Sequence, residues 1–347
     1  RKYNRNREYL TRVCINIHAS TYTRRYMARV AVTDGMDPDA IRILKELGHD
    51  VIEQHYSKEE LNSGILSEFD AVVVRSATKI SPKIIASSGK LSFIGRGGVG
   101  VDNIDIDAAT KAGIVVCNTP RSSTHSVVEL TIGHLLASCR HIAKADRSIR
   151  EGKWEKKTLK GTELSGKRLG LIGFGRIAQG VASIANSLGM ECHTYDPYLP
   201  NEIASKFNTT LHSEINSLFR LCTHISVHCN LTEETYHLVN NERIKMMPGM
   251  GADGVFCGNH IVNCARGGIV DEKAILMNLE SEKLSSAALD VFESEPVENN
   301  PLVSHPNFHG SPHVGAATAE AQYRIGQEMV TLLKSHFNGE KPHSALN

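Results

Sequence analysis

The chain has 347 residues, no repeat, and a formal net charge of +1, so no global field favours nucleic acid or a membrane surface. No apolar run approaches the ~18 residues that span a bilayer, and the length suits two domains of ordinary size. The charge is uneven: residues 1–26 hold seven basic side chains against the single acid Glu8, leaving the rest net acidic.

That basic, hydroxyl-containing segment looks foreign to the rest of the chain. The pattern YMARVAVTDGM makes Met27 the natural start. Residues 1–26 then read either as translated upstream sequence or as an organelle transit peptide. Eight scattered cysteines without a CxxC pair fit free thiols in a reducing, cytoplasmic compartment. The seventeen histidines show no zinc spacing, so no metal is expected.

From Met27 onward, β-rich runs at 28–33, 51–54, 71–75, 92–95 and 114–117 alternate with helical patterns at 38–47, 82–88 and 105–112. Such alternation means a parallel sheet covered by helices. Thr119-Pro120 reads as a hinge before one long helix over 124–150, whose apolar face is Val128, Ile132, Leu135, Leu136, Cys139 and Ile142. A second series has six strands, at 168–172, 191–194, 224–228, 260–263, 286–289 and 307–310, and a last helix at 319–336. The fold class is therefore α/β, with two Rossmann-like doubly wound parallel sheets.

The second series opens with Gly173-Phe-Gly175-Arg-Ile-Ala178 between strand and helix. Gly173 permits the tight turn, Gly175 lets backbone approach a pyrophosphate, and Ala178 is small enough for helix to pack on strand. The helix N-terminus offers free N–H groups to phosphates. Asp196, eighteen residues past Ala178, can accept both ribose hydroxyls and would repel a 2′-phosphate, which favours NAD over NADP. Arg176 could offset part of that repulsion. Without a dinucleotide, Asp196 would be an ordinary turn residue before Pro197.

Three later segments carry acid–base chemistry: NCARGG with Arg266, DVFESEP with Glu295, and PHVGA with His313. Histidine suits proton removal from a hydroxyl because its reference pKa of ~6.5 lies near working pH. A carboxylate partner favours the imidazolium and fixes the tautomer. Glu295, before Pro296, is preferred over its neighbours Glu293 and Glu298. Arg266 offers a planar fork for a carboxylate. Asp290, ending its strand, can hydrogen-bond a nicotinamide carboxamide. Together these would oxidise a 2-hydroxy acid.

The runs VRSATKI, GRGGVGVDNIDIDAATKAGIVVCNTP, GLIGFGRIA, NCARGGIVDE, ALDVFESEP and PHVGAATAEAQ together resemble the D-isomer-specific 2-hydroxyacid dehydrogenases. VRSATK with GVGVDN narrows this to the phosphoglycerate branch. The resemblance runs from Met27 to Asn347. It implies a discontinuous substrate-binding domain, 27–119 with 313–347, around a central NAD-binding domain, 120–312, and a homodimer built on the central domains. It implies Arg266, Glu295 and His313 as the catalytic set. It implies cofactor contacts by Arg176, Ile177, Cys264, Ala265, Asp290, Gly315 and Ala316, with Val99 and Cys229 on the cofactor side. Arg75 and Arg96 match positions lining an anionic substrate pocket. Asn103 is either a substrate-side residue or a turn residue. The implied reaction is NAD-dependent oxidation of 3-phospho-D-glycerate to 3-phosphohydroxypyruvate, the first step towards serine.

Other outcomes are a glyoxylate or hydroxypyruvate reductase, a dinucleotide-sensing corepressor, and an inactive product of a faulty gene model. Cys229-Asn230 departs from the family pattern, and the stretch 248–260 is about eight residues longer than that pattern. The chain ends at Asn347, so no serine feedback through a C-terminal domain is expected.

Overall fold

The computed structural model describes residues 27–347; the reading of 1–26 lies outside the described residues. Two all-parallel sheets form. The first contains β1 (Arg29–Val32), β2 (Asp50–Glu53), β3 (Ala71–Val74), β4 (Phe93–Arg96) and β5 (Val115–Asn118), in the order β2-β1-β3-β4-β5. The second contains β6 (Arg168–Ile172), β7 (Glu191–Tyr195), β8 (Thr209–His212), β9 (His224–Val227), β10 (His260–Asn263), β11 (Ser286–Leu289) and β12 (Phe308–Gly310), in the order β12-β11-β10-β9-β6-β7-β8. Helices cover both faces of each sheet, so the central strands β3, β4, β9, β10 and β11 are buried throughout. All four residues of β3, Ala-Val-Val-Val, are buried.

Each sheet has one point where the strand order reverses, between β1 and β3 in the first and between β6 and β9 in the second. Ligands of open parallel sheets bind beyond the strand ends at such points. The chain re-enters the first sheet at its end. The helix Ala319–Phe337 packs on the helix Pro38–Glu46 and on β4, and Cys117 bridges Ala345 in antiparallel fashion.

Two sequence readings need correction. The helix expected over 124–150 is two helices, Thr124–Cys139 and Ile142–Arg150. The Cys139 carbonyl accepts the Thr162 N–H, and His141 lies in the left-handed region (φ 53°), so the helical ladder cannot continue. Apolar spacing runs through the break and hides it. The second sheet has seven strands rather than six; β8 is a short, half-polar edge strand with no clear alternation. The long stretch before β10 is an ordered hairpin. Met250 bridges Phe256, and Asp253 Oδ2 pairs with the buried Lys167 Nζ at 2.5 Å. Its contacts to Gly166, Lys167 and Lys283 lie before the strands begin, and β10 keeps its register with β9 and β11.

All seven described cysteines are free, and among the described residues no helix is long and apolar enough to cross a membrane. The fold buries imidazoles instead. His224 stacks on His260 with ring centroids 4.5 Å apart, and His193 bonds His212 at 3.1 Å. Burial pushes His193, His260 and His309 down to about 4. The unfolded chain takes up these protons near pH ~6.5, so the folded state loses stability as pH falls from there towards 4. Denaturant midpoints at pH 7.5 and 4.5 check this: unfolding free energy should drop by on the order of a few kcal/mol, and equal midpoints would show that these rings do not titrate as described.

Candidate functional site

The C-terminal ends of both sheets open on one cleft, which divides into two adjoining cavities. The larger, about 1320 Å³, is lined by Gly173, Gly175, Arg176, Asp196 and Tyr198. The smaller, about 860 Å³, is lined by Arg75, Arg96, Arg266, Asp290 and His313, with Cys264, Ala265, Gly315 and Ala316. Val99, Ile177, His228, Cys229 and Asn230 line both and so mark the passage between them.

The larger cavity has the features of a dinucleotide site. Gly173 has φ 84°, and a Cβ there would come within 3.0 Å of the Cys229 backbone nitrogen. The helix Arg176–Ser187 starts at Gly175 with no side-chain cap, leaving its first N–H groups to a ligand. Ala178, in the first turn of this helix, is fully buried. Asp196 has a second task. Its Oδ2 accepts the Phe174 N–H (2.9 Å) and its Oδ1 the Tyr198 N–H (3.0 Å), so it pins the glycine turn while lining the cavity. Arg176 does not approach Asp196; its guanidinium donates to the Pro120 carbonyl at 3.2 Å, across to the hinge. These residues fit a dinucleotide, with backbone N–H groups for the pyrophosphate and a carboxylate beyond them.

His313 lines the smaller cavity, and its Nδ1 lies 2.7 Å from Oε2 of Glu295, which is outside that lining. Glu295 Oε1 accepts the Phe292 N–H at 3.0 Å. Burial tends to raise the Glu295 carboxyl, but the bonds from His313 and Phe292 and the charge of Arg266 outweigh it and hold the group below its ordinary range. Glu293 turns away, to His237 at 3.0 Å and the Glu272 N–H. Thus the structure pairs His313 with Glu295 rather than Glu293. His313 sits at φ 53°, a left-handed conformation that costs an ordinary residue about 1–2 kcal/mol.

Arg266 follows β10, where Asn263 shapes the turn by donating to the Arg266 carbonyl and accepting the Ala265 N–H. Its Nε reaches across to Asp102 Oδ1 of the first unit at 2.8 Å. Arg96 is 9% exposed, and its Nε has no partner. Burial first, then the neighbouring charge of Arg266, pushes its guanidinium down to about 10 despite the opposing Asp102. Burial likewise lowers Arg75, opposed by Asp34. Three cations converging on one cavity, one with an unused buried N–H, create a demand for an anion.

Asn103 is not in the cavity. Its amide donates to the Arg75 and Thr78 carbonyls, both at 2.6 Å, so it braces the loop that presents Arg75. The structure thus places Asn103 in the loop behind Arg75 and not on the cavity wall. Ser76, the Gly97-Gly98 backbone and His228 line the cavity without having been singled out in the sequence. His228 Nε2 bonds Ser226 Oγ at 2.9 Å, and nothing in the residues around it marks a site. Cys264 and Cys229 are raised by burial to about 12 and 11 and are walls rather than nucleophiles.

Residues 132–315 match the family model described as the D-isomer specific 2-hydroxyacid dehydrogenase NAD binding domain. The chain belongs to this family. It is 44% identical to a D-3-phosphoglycerate dehydrogenase of Methanocaldococcus jannaschii over 92% of this chain and 60% of that protein, so it spans about three-fifths of that relative's length. It is 46% identical to a hydroxypyruvate reductase of Thermotoga maritima over 87% of this chain and 96% of that protein. Among solved structures, a D-lactate dehydrogenase of Aquifex aeolicus complexed with NAD and lactic acid is similar at TM-score 0.78 and 26% identity, over 90% of this chain and 96% of that one.

The two tasks of Asp196 make a binding prediction. Asp196→Ala should weaken NADH roughly tenfold and narrow the margin over NADPH, because a 2′-phosphate no longer meets a carboxylate. Fluorescence titration of both nucleotides checks this; an unchanged NADH/NADPH ratio would show that Asp196 serves only the turn.

Proposed function

We propose that the chain oxidises 3-phospho-D-glycerate to 3-phosphohydroxypyruvate with NAD, residues 27–119 and 313–347 holding the acid and 120–312 the cofactor. The observation that carries the reading is the convergence of Arg75, Arg96 and Arg266 with His313, itself paired with Glu295, on a cavity adjoining the glycine-turn site.

Arg266 binds the substrate carboxylate and polarises the C2 oxygen. Arg75 and Arg96 take the phosphate, whose two charges match what the cluster lacks. With Nδ1 committed to Glu295, His313 takes the C2 hydroxyl proton on Nε2. Glu295 stabilises the imidazolium so formed. Bound NAD supplies the hydride acceptor. The Val127, Ile177 and Ala316 walls exclude water from the reacting carbon. Asp290 orders the loop on which His313 sits and faces the same cavity. Large exposed apolar side chains, Ile142, Ile149 and Trp154, lie on and just beyond one helix of the central unit, which supports a homodimer through this region.

A second reading, reduction of hydroxypyruvate or glyoxylate, is favoured by the Thermotoga relative, which this chain matches over nearly its whole length. The two readings differ in what the arginines are for. NADH formation at 340 nm with 3-phosphoglycerate and with D-glycerate separates them: the proposal expects strong preference for the phosphorylated acid. Arg75→Ala should raise KM for 3-phosphoglycerate about 10–100-fold and leave D-glycerate little changed. Preference for the unphosphorylated acid would move the chain to the reductases. Separately, His313→Gln should cut turnover roughly 10²–10⁴-fold with NADH binding nearly intact; near-normal turnover would remove His313 from its role.

A further inference from the structure

Behind His313 runs a chain of buried hydrogen bonds that the reaction itself does not require. Asp290 is 1% exposed and both its oxygens are engaged. Oδ1 accepts the Ser311 hydroxyl (2.6 Å) and the Val314 N–H (2.8 Å), and Oδ2 accepts the Gly315 N–H (2.9 Å). The His313 N–H donates to the Asp290 carbonyl at 2.8 Å. Residue 290 therefore anchors three consecutive amides, 313 to 315, and these hold His313 in its left-handed conformation.

One more residue feeds this anchor. His134, on the helix Thr124–Cys139, places Nε2 3.1 Å from Ser311 Oγ. A carboxylate can only accept, so the Ser311 proton lies on the Asp290 side, and the Ser311 oxygen must accept from His134. The direction of the chain is thus fixed, from His134 Nε2–H to Ser311 to Asp290. His134 is 7% exposed, and burial lowers its affinity for a second proton, which agrees with a neutral ring in this one tautomer. The same helix grips the loop again through Ser126, whose hydroxyl donates to the Gly315 carbonyl at 2.6 Å.

We infer that His134 and Ser311 are positioning residues that, through Asp290, hold the 313–315 loop in the geometry for proton transfer. Their effect on turnover rests on the function proposed above; their effect on the loop does not. A ring that packed only for volume would tolerate an apolar replacement. A ring that orders Ser311 would tolerate only another N–H donor.

The test uses His134→Leu, His134→Gln, Ser311→Ala and Ser311→Thr in the full chain, with two readouts. Amide hydrogen exchange of residues 313–315 should quicken about tenfold or more in His134→Leu and Ser311→Ala and stay near wild type in His134→Gln and Ser311→Thr. With 3-phosphoglycerate and NAD, the first pair should lose roughly 5–50-fold in kcat while KM moves less than about threefold, and the second pair should recover. Ser311→Ala removes few atoms and serves if His134→Leu does not fold. Wild-type exchange at 313–315 in both Ser311→Ala and His134→Leu would overturn the inference whatever the turnover. A wild-type protein inactive on every 2-hydroxy acid would sink the proposed function instead, and exchange would still decide the role of His134.

Discussion

In a parallel sheet every strand runs the same way, so all the strand ends that share a direction open on one edge. That constraint builds the site. Gly173, Asp196, His228, Cys264 and Asp290 each lie directly after a strand of the second sheet, and Arg75 directly after one of the first. No two of them need be close in sequence. The edges of the two sheets face one another, so a cofactor held at the glycine turn of one lies beside the arginines of the other. The Arg266–Asp102 and His313–Glu295 contacts are points at which side chains of the two units meet directly. An exposed pair such as Arg266–Asp102 contributes at most about 1 kcal/mol, so it orients Arg266 more than it stabilises the fold.

Much of this was legible because buried parallel strands leave plain marks. Runs such as Ala71–Val74 are apolar on both faces, and the glycine turn has a spacing that only its backbone geometry explains. What stayed hidden was decided by tertiary contacts. The break near His141 depends on a carbonyl captured by Thr162, far along the chain. The edge strand β8 has too little buried surface to show a period. Asn103 resembles a ligand-binding amide until its two carbonyl partners are seen. Glu293 and Glu295 differ by two positions and by nothing local; the hydrogen bonds to His237 and His313 separate them.

Charge at the site is distributed to be completed by ligands. The arginines are held together with incomplete compensation, Arg96 most of all. Such crowding of like charge costs stability and favours an anion among the arginines. The glycine-turn cavity is arranged differently, with the uncapped helix start offering N–H groups and Asp196 held beside the turn on the Phe174 N–H. The helix start favours a pyrophosphate, and the carboxylate disfavours a further phosphate beside it.

Family membership establishes the NAD-binding domain; the proposed reaction adds that hydride leaves C2 of an acid held in the arginine cavity. The most direct test is mass spectrometry of the nucleotide after reaction of 3-phospho-D-glycerate deuterated at C2 with unlabelled NAD. The account predicts reduced nucleotide carrying one deuterium, and none when His313 is replaced by Gln over the same interval. Reduced nucleotide without deuterium, or substrate consumed without reduction of NAD, would contradict it.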